Sequence, residues 1–153
     1  MSCWTSAMDA EQIKSQFETE NSHEIYKAIW AILRCKDKTE LEKLKPHMPA
    51  LKKVIARVDL GGVFRRNKDD CKNAFQHIQD MCAGKCHCTA YLGANLRSPT
   101  VEEKYDLVKI VGKDIHADLY EAHYFVDCTG CTKKFRVREV LGWHIPWYDW
   151  VIL

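Results

Sequence analysis

Hydrophobic positions in the first half of the chain recur at helical spacing. Ile25, Ile29, Ile32 and Leu33 fall at i, i+4, i+7 and i+8, the pattern of one apolar helix face. Ser22 is expected to cap that helix, with Glu24 in its first turn. Asp37 followed by Glu40 reads as a capping-box variant ahead of Leu41, Leu44, Met48, Leu51, Ile55 and Val58. Pro46 and Pro49 interrupt that stretch, which predicts a short helix and then a longer one from about Pro49 to Val58. Asp59-Leu60-Gly61-Gly62 ends it, with glycines suited to a left-handed exit. Asn67 is expected to cap a last helix carrying Phe75, Ile78 and Met81 on one face. Successive antiparallel helices of this kind resemble an α-hairpin series, with a period too irregular for a solenoid.

From about residue 86 the period changes to two. Residues 105–111, 119–126 and 135–138 alternate, and Trp143 to Leu153 is rich in aromatic and β-branched residues. This predicts an antiparallel sheet, with 95–100 around Pro99 left as a loop. The fold class expected is α+β: antiparallel helices over 1–84 packed on an antiparallel sheet over 85–153. No low-complexity linker divides the two regions, so they are expected to share one core.

Composition narrows the function classes. The 153 residues carry a formal net charge of +2 from 23 Lys+Arg and 21 Asp+Glu, which excludes a polycation or an acidic tail. With 46% hydrophobic residues the chain can build a core. No apolar run is long enough to span a bilayer, and the first ten residues lack the basic and apolar regions of a secretory signal. A cytoplasmic location, with no membrane association, is therefore expected.

The eight cysteines change the picture most. In a reducing compartment, clustered cysteines bind metal more often than they form disulfides. Cys86 and Cys88 form a C-x-C pair, and Cys128 and Cys131 a C-x-x-C pair, 39 residues apart. The second pair sits between two expected strands, where Gly130 can relieve the turn. Four thiolates match tetrahedral zinc and leave no open position for substrate, so the site is expected to be structural. Lys85, Lys133 and Lys134 flank the pairs and are expected to offset the negative charge of the complex. Cys82 and His87 are alternative ligands. Reduced cysteines without metal, and a dithiol redox pair at Cys128 and Cys131, are the other readings. The redox reading lacks the βαβ surroundings of a thioredoxin-like motif. Cys3, Cys35 and Cys71 stand alone and read as buried core.

Two further features suggest an interaction surface. Nine Lys and Arg against three acids lie between Lys43 and Lys72. Of these, Lys52, Lys53, Arg57, Arg65 and Arg66 are candidate contacts to phosphate or acidic protein, against the plainer reading of a solvated helix face. In the tail, Trp147, Tyr148 and Trp150 can serve as a base-stacking platform or a protein hot spot, against packing on the sheet. Enzyme signatures are absent: there is no P-loop, GxGxxG, GxSxG or HExxH, and the histidines are scattered. Asp114, His116 and Asp118 can form a metal set but read more simply as a solvated turn.

The chain resembles a loose group of small, mostly uncharacterised bacterial proteins. The resemblance runs over about residues 25–150. It rests on Asp59-Leu60-Gly61-Gly62 with Asn67, on Gly84-Lys85-Cys86-His87-Cys88, on Cys128-x-x-Cys131 before Phe135-Arg136-Val137, and on the His144-x-x-Trp147-Tyr148-x-Trp150 ending. It implies a fold and a zinc knuckle rather than a reaction, and a build similar to immunity or accessory proteins of bacterial toxin systems. The expectation is a non-enzymatic zinc protein that binds a toxin or effector. A nucleic-acid-binding zinc-ribbon-like module is the alternative, and a thiol redox protein a third. The steeper loss of nucleic-acid affinity with salt separates the first two.

Overall fold

The first three helices of the N-terminal region each start at a side chain that satisfies free backbone N–H groups. In the computed structural model, which describes residues 8–61, 67–93, 96–142 and 145–153, α1 spans Ala10–Glu18 behind a reciprocal capping box formed by Asp9 and Gln12. The sequence pattern left this helix unassigned. Helix α2 spans Ser22–Leu33, and its cap is Asn21, whose side chain accepts from the N–H groups of His23 and Glu24. Ser22, the expected cap, is instead the first helical residue. Replacing Asn21 with alanine is expected to cost about 1 kcal/mol, seen as a melting temperature lowered by a few degrees at 222 nm.

Helix α3 spans Lys38–Leu44 and is capped by Asp37 as expected. The Glu40 carboxylate, however, accepts from the backbone N–H of Ala10 at 2.9 Å, tying α3 to the start of α1. Pro46 sits in a 3-10 turn over Lys45–His47, and α4 follows as Met48–Arg57. Gly61 adopts φ +73°, the left-handed exit the glycine pair predicts. Helix α5 spans Asn67–Cys82. Asn67 is its first residue, and its side-chain amide donates to the Leu60 carbonyl at 2.7 Å.

The buried faces of these helices form one apolar cluster. Phe17, Ile25, Ile29, Ile32, Leu41, Leu44 and Ile78 are fully enclosed within it. The chain divides into two compact units, Met1–His87 and Cys88–Leu153.

A 3-10 turn over His87–Tyr91 begins at the last residue of the first unit, and α6, Pro99–Lys104, follows in the second. The loop expected over 95–100 holds at 96–98 and is corrected at its end, with residue 95 outside the described residues: Pro99 and Thr100 occupy the first helical turn, where the proline's missing N–H costs nothing. Tyr105 and Asp106 close α6 rather than open a strand. Four strands follow, β1 (Val108–His116), β2 (Glu121–Cys128), β3 (Lys134–Val140) and β4 (Trp147–Ile152), in an antiparallel meander of order β1-β2-β3-β4. The α+β fold class stands.

Inward side chains of β2 and β3 alternate as the period-two pattern requires. Ala122, Tyr124, Val126 and Cys128 are buried, as are Phe135 and Val137. Among the described residues no helix is long and apolar enough to cross a membrane.

Candidate metal centre

Helix α5 ends in a Schellman motif that aims the next residues. Lys85 N–H donates to the Asp80 carbonyl at 2.9 Å and Gly84 N–H to the Met81 carbonyl at 3.0 Å. Gly84 takes φ +85° between them. Cys86 follows immediately, and Cys88 sits in the 3-10 turn beyond it.

The other thiol pair is built by the β2–β3 connection. Cys128 is the last residue of β2, and its N–H donates to the Lys133 carbonyl at 3.0 Å, closing the turn. Thr129 fixes the turn against the α6–β1 junction. Its hydroxyl donates to the carbonyls of Asp106 (2.7 Å) and Leu107 (2.9 Å), and its N–H donates to Leu107 at 3.2 Å.

These elements bring Cys86, Cys88, Cys128 and Cys131 together, with all four sulfurs within 4.8 Å of one another. Sulfurs at the corners of a tetrahedron ~2.3 Å from an ion stand ~3.8 Å apart. Cys88 and Cys131 are separated by 3.6 Å, close to that value and far beyond the ~2.0 Å of an S–S bond. None of the described cysteines forms a disulfide. Cys88 and Cys128 are buried, Cys86 and Cys131 half-buried.

Two backbone groups face the sulfurs. Gly130 N–H donates to Cys128 Sγ at 3.3 Å, and Lys133 N–H to Cys131 Sγ at 3.5 Å. Each repeats the same i to i+2 geometry. The donor set, its spacing and these N–H groups fit a metal ion, so the cluster can hold one. The lysines serve this less than expected. Lys85 pairs with Asp80 at 3.1 Å and Lys134 with Asp127 at 2.9 Å, while Lys133 contributes through its backbone.

His87 Nδ1 lies 3.7 Å from Cys86 Sγ, but neither His87 nor Cys82 belongs to the cluster. Among the described residues the four cysteines are the one such group, so Asp114, His116 and Asp118 do not form a second. The isolated thiols behave differently. Burial, with Asp70's charge beside it, pushes Cys71 up to about 12, and burial also raises Cys35. Cys3 lies outside the described residues.

Thr129 carried no sequence signal beyond its place inside C-x-x-C. Replacing it with valine removes two hydroxyl bonds while keeping the shape. Metal affinity is expected to fall about tenfold, as when groups that orient a ligand are lost, read by competition with a chromophoric chelator. Unchanged affinity would show that the turn is positioned by its backbone alone.

The other expected contact residues are scattered. Lys52 and Lys53 are exposed on α4, and Arg57 is ion-paired with Glu20. Arg65 and Arg66 lie outside the described residues, as does His144. Trp147 is exposed (46%), but Tyr148 (8%) and Trp150 (7%) are core residues rather than interface. Strand alternation turns Tyr148 and Trp150 to the inner face, where Trp150 stacks on Tyr91 with ring centroids 4.2 Å apart. No family model, curated protein or solved structure matches the chain.

Proposed function

We propose that the protein is a non-enzymatic binding module whose fold is completed by a structural zinc ion on Cys86, Cys88, Cys128 and Cys131, and that it acts on a macromolecular partner, a bacterial toxin or effector. The observation that carries the zinc reading is the convergence of four sulfurs, and only sulfurs, within 4.8 Å. A complete thiolate tetrahedron suits zinc, gives it no open position, and so assigns it to structure rather than catalysis. The C-x-x-C pair lies at a hairpin turn rather than at the start of a helix, which speaks against a dithiol redox role. Partner binding is supported by the exposed cations of α4 and by Trp147.

Elemental analysis of protein purified without added metal tests the centre. One zinc per chain is expected, lost on Cys→Ser replacement at any of the four positions. Iron in its place would bring visible thiolate-to-iron absorption and overturn the zinc assignment. Alkylation followed by mass measurement would expose a Cys128–Cys131 disulfide if the redox reading were correct. Co-expression with products of neighbouring genes, and sizing of any complex, tests the partner. A nucleic-acid partner would instead show affinity falling steeply with salt.

A further inference from the structure

Helices α4 and α5 border a cleft of about 350 Å³ that no part of the metal centre uses. Its α5 wall is formed by Lys68, Cys71, Lys72, Phe75, Gln76 and Gln79, a continuous stripe at i, i+3, i+4, i+7, i+8 and i+11. At 1.5 Å per residue this stripe is ~16 Å long, three helical turns. From α4, Ile55 joins Phe75 in the floor, and Lys52 stands at the rim with its ammonium 5.5 Å from the Phe75 ring centroid. Lys52, Lys68 and Lys72 line the cleft, and among the described residues no carboxylate does. Lys52 and Lys68 make no ion pair among the described residues, and Lys72 reaches Asp69 only at 3.9 Å. The floor is inert, since the Cys71 thiol is held protonated by burial.

We infer that this cleft is a docking groove for an acidic amphipathic helix of the protein partner, its apolar face on Ile55 and Phe75 and its carboxylates on Lys52, Lys68 and Lys72. The inference rests on the partner-binding reading above and names what that partner presents. Three features select this occupant. The length suits a helix laid along a groove rather than a small anion. The cationic rim over an apolar floor matches the two faces of an acidic amphipathic helix. Among the described residues Phe75 is the single aromatic side chain lining the cleft, so there is no run of rings on which successive bases could stack.

The probe is a fluorescein-labelled helical peptide of ~15 residues, with leucines at i, i+4, i+7 and i+11 and glutamates between them. Its anisotropy is followed with the full chain at ~0.15 M salt. Saturable binding is expected for this peptide and not for its Glu-to-Gln counterpart. Lys52→Glu/Lys68→Glu is expected to weaken it at least about tenfold. Lys104→Glu/Lys109→Glu makes the same charge change outside the cleft and is expected to bind as the parent does. Metal content should be unchanged in both variants, which confirms that they fold.

No binding by the parent chain, or equal binding by Lys52→Glu/Lys68→Glu, overturns the proposal. So does a single-stranded oligonucleotide of ~15 nucleotides that binds in place of the peptide and loses affinity in that variant. A partner that still co-purifies with Lys52→Glu/Lys68→Glu removes the cleft but leaves partner binding standing. A parent chain that takes up neither peptide nor partner removes both.

Discussion

Cys128→Ser is expected to abolish metal binding and unfold the unit Cys88–Leu153, while leaving the helical unit folded. Cys128 ends β2, Cys131 closes the turn to β3, and Cys88 sits three residues before Tyr91 at the centre of the sheet's core. The loss of one thiolate leaves three, too few to complete the tetrahedron, and strands the Gly130 N–H that faced Cys128. Structural zinc contributes about 10–16 kcal/mol to the folding of small metal-binding peptides. A whole domain keeps only about 5–15 kcal/mol of net stability. The metal term therefore exceeds what a short meander can lose, and small units lacking such a staple are marginal.

Near-UV circular dichroism reads this directly, because Tyr91, Phe135 and Trp150 form the aromatic cluster of this unit. That signal should collapse in Cys128→Ser and on treatment of the parent with a strong chelator, and return in the parent when zinc is restored. Far-UV helical signal should largely remain, because the helical cluster is built from residues before Cys86. Cys71→Ala is the contrasting variant. It costs packing inside the helical core but should keep one metal ion per chain. A Cys128→Ser protein with intact near-UV signal and an unchanged unfolding midpoint would remove the structural role.

What the sequence made legible is what periodicity and covalent spacing control. Ile25, Ile29, Ile32, Phe75 and Ile78 lie on buried faces because a helix repeats every 3.6 residues whatever it packs on. The four metal-site cysteines were legible because C-x-C and C-x-x-C hold their sulfurs within chelating distance before any tertiary contact forms. The caps were less so. Asn21 and Ser22 are both good cap residues, and only backbone geometry decides that Asn21 stands outside the helix. Glu40 has the right spacing for a capping box but finds a stronger call on its carboxylate at Ala10, thirty residues away. Pro99 looked like a loop residue because proline both starts and stops helices. The aromatic tail shows the same limit. Alternation separates Trp147 from Trp150, but which of the two faces water depends on what Tyr91 places against the sheet.

Glu102→Gln is expected to destabilise the second unit by about 3–5 kcal/mol, although it changes only one atom. Glu102 and Arg97 are 1% and 5% exposed and are joined by hydrogen bonds from Nε to Oε1 at 3.0 Å and from Nη2 to Oε2 at 2.8 Å. Tyr91 donates its hydroxyl to Oε2 at 3.1 Å, and the Arg97 guanidinium lies 5.2 Å from the Tyr91 ring centroid. Trp150 Nε1 donates to the Arg97 carbonyl at 2.8 Å, joining the pair to β4. Burial works against the guanidinium charge, yet the Glu102 carboxylate outweighs it and holds the Arg97 pKa above its ordinary value. An amide at 102 preserves volume and one acceptor but takes the Glu102 charge away from that buried cation. The urea midpoint, followed by near-UV signal, should fall by about 2 M at the usual slope for a small unit. Because the cost comes from stranding a charge rather than from losing a contact, removing every polar member should recover it. Tyr91→Phe/Arg97→Met/Glu102→Leu is expected to unfold near the parent's midpoint or above it, with its metal content intact. If the triple variant is no more stable than Glu102→Gln, desolvated charge is not the source of the loss. The pair would then act through the fixed geometry of its hydrogen bonds, holding the turn that carries Cys88 and Tyr91 against β4.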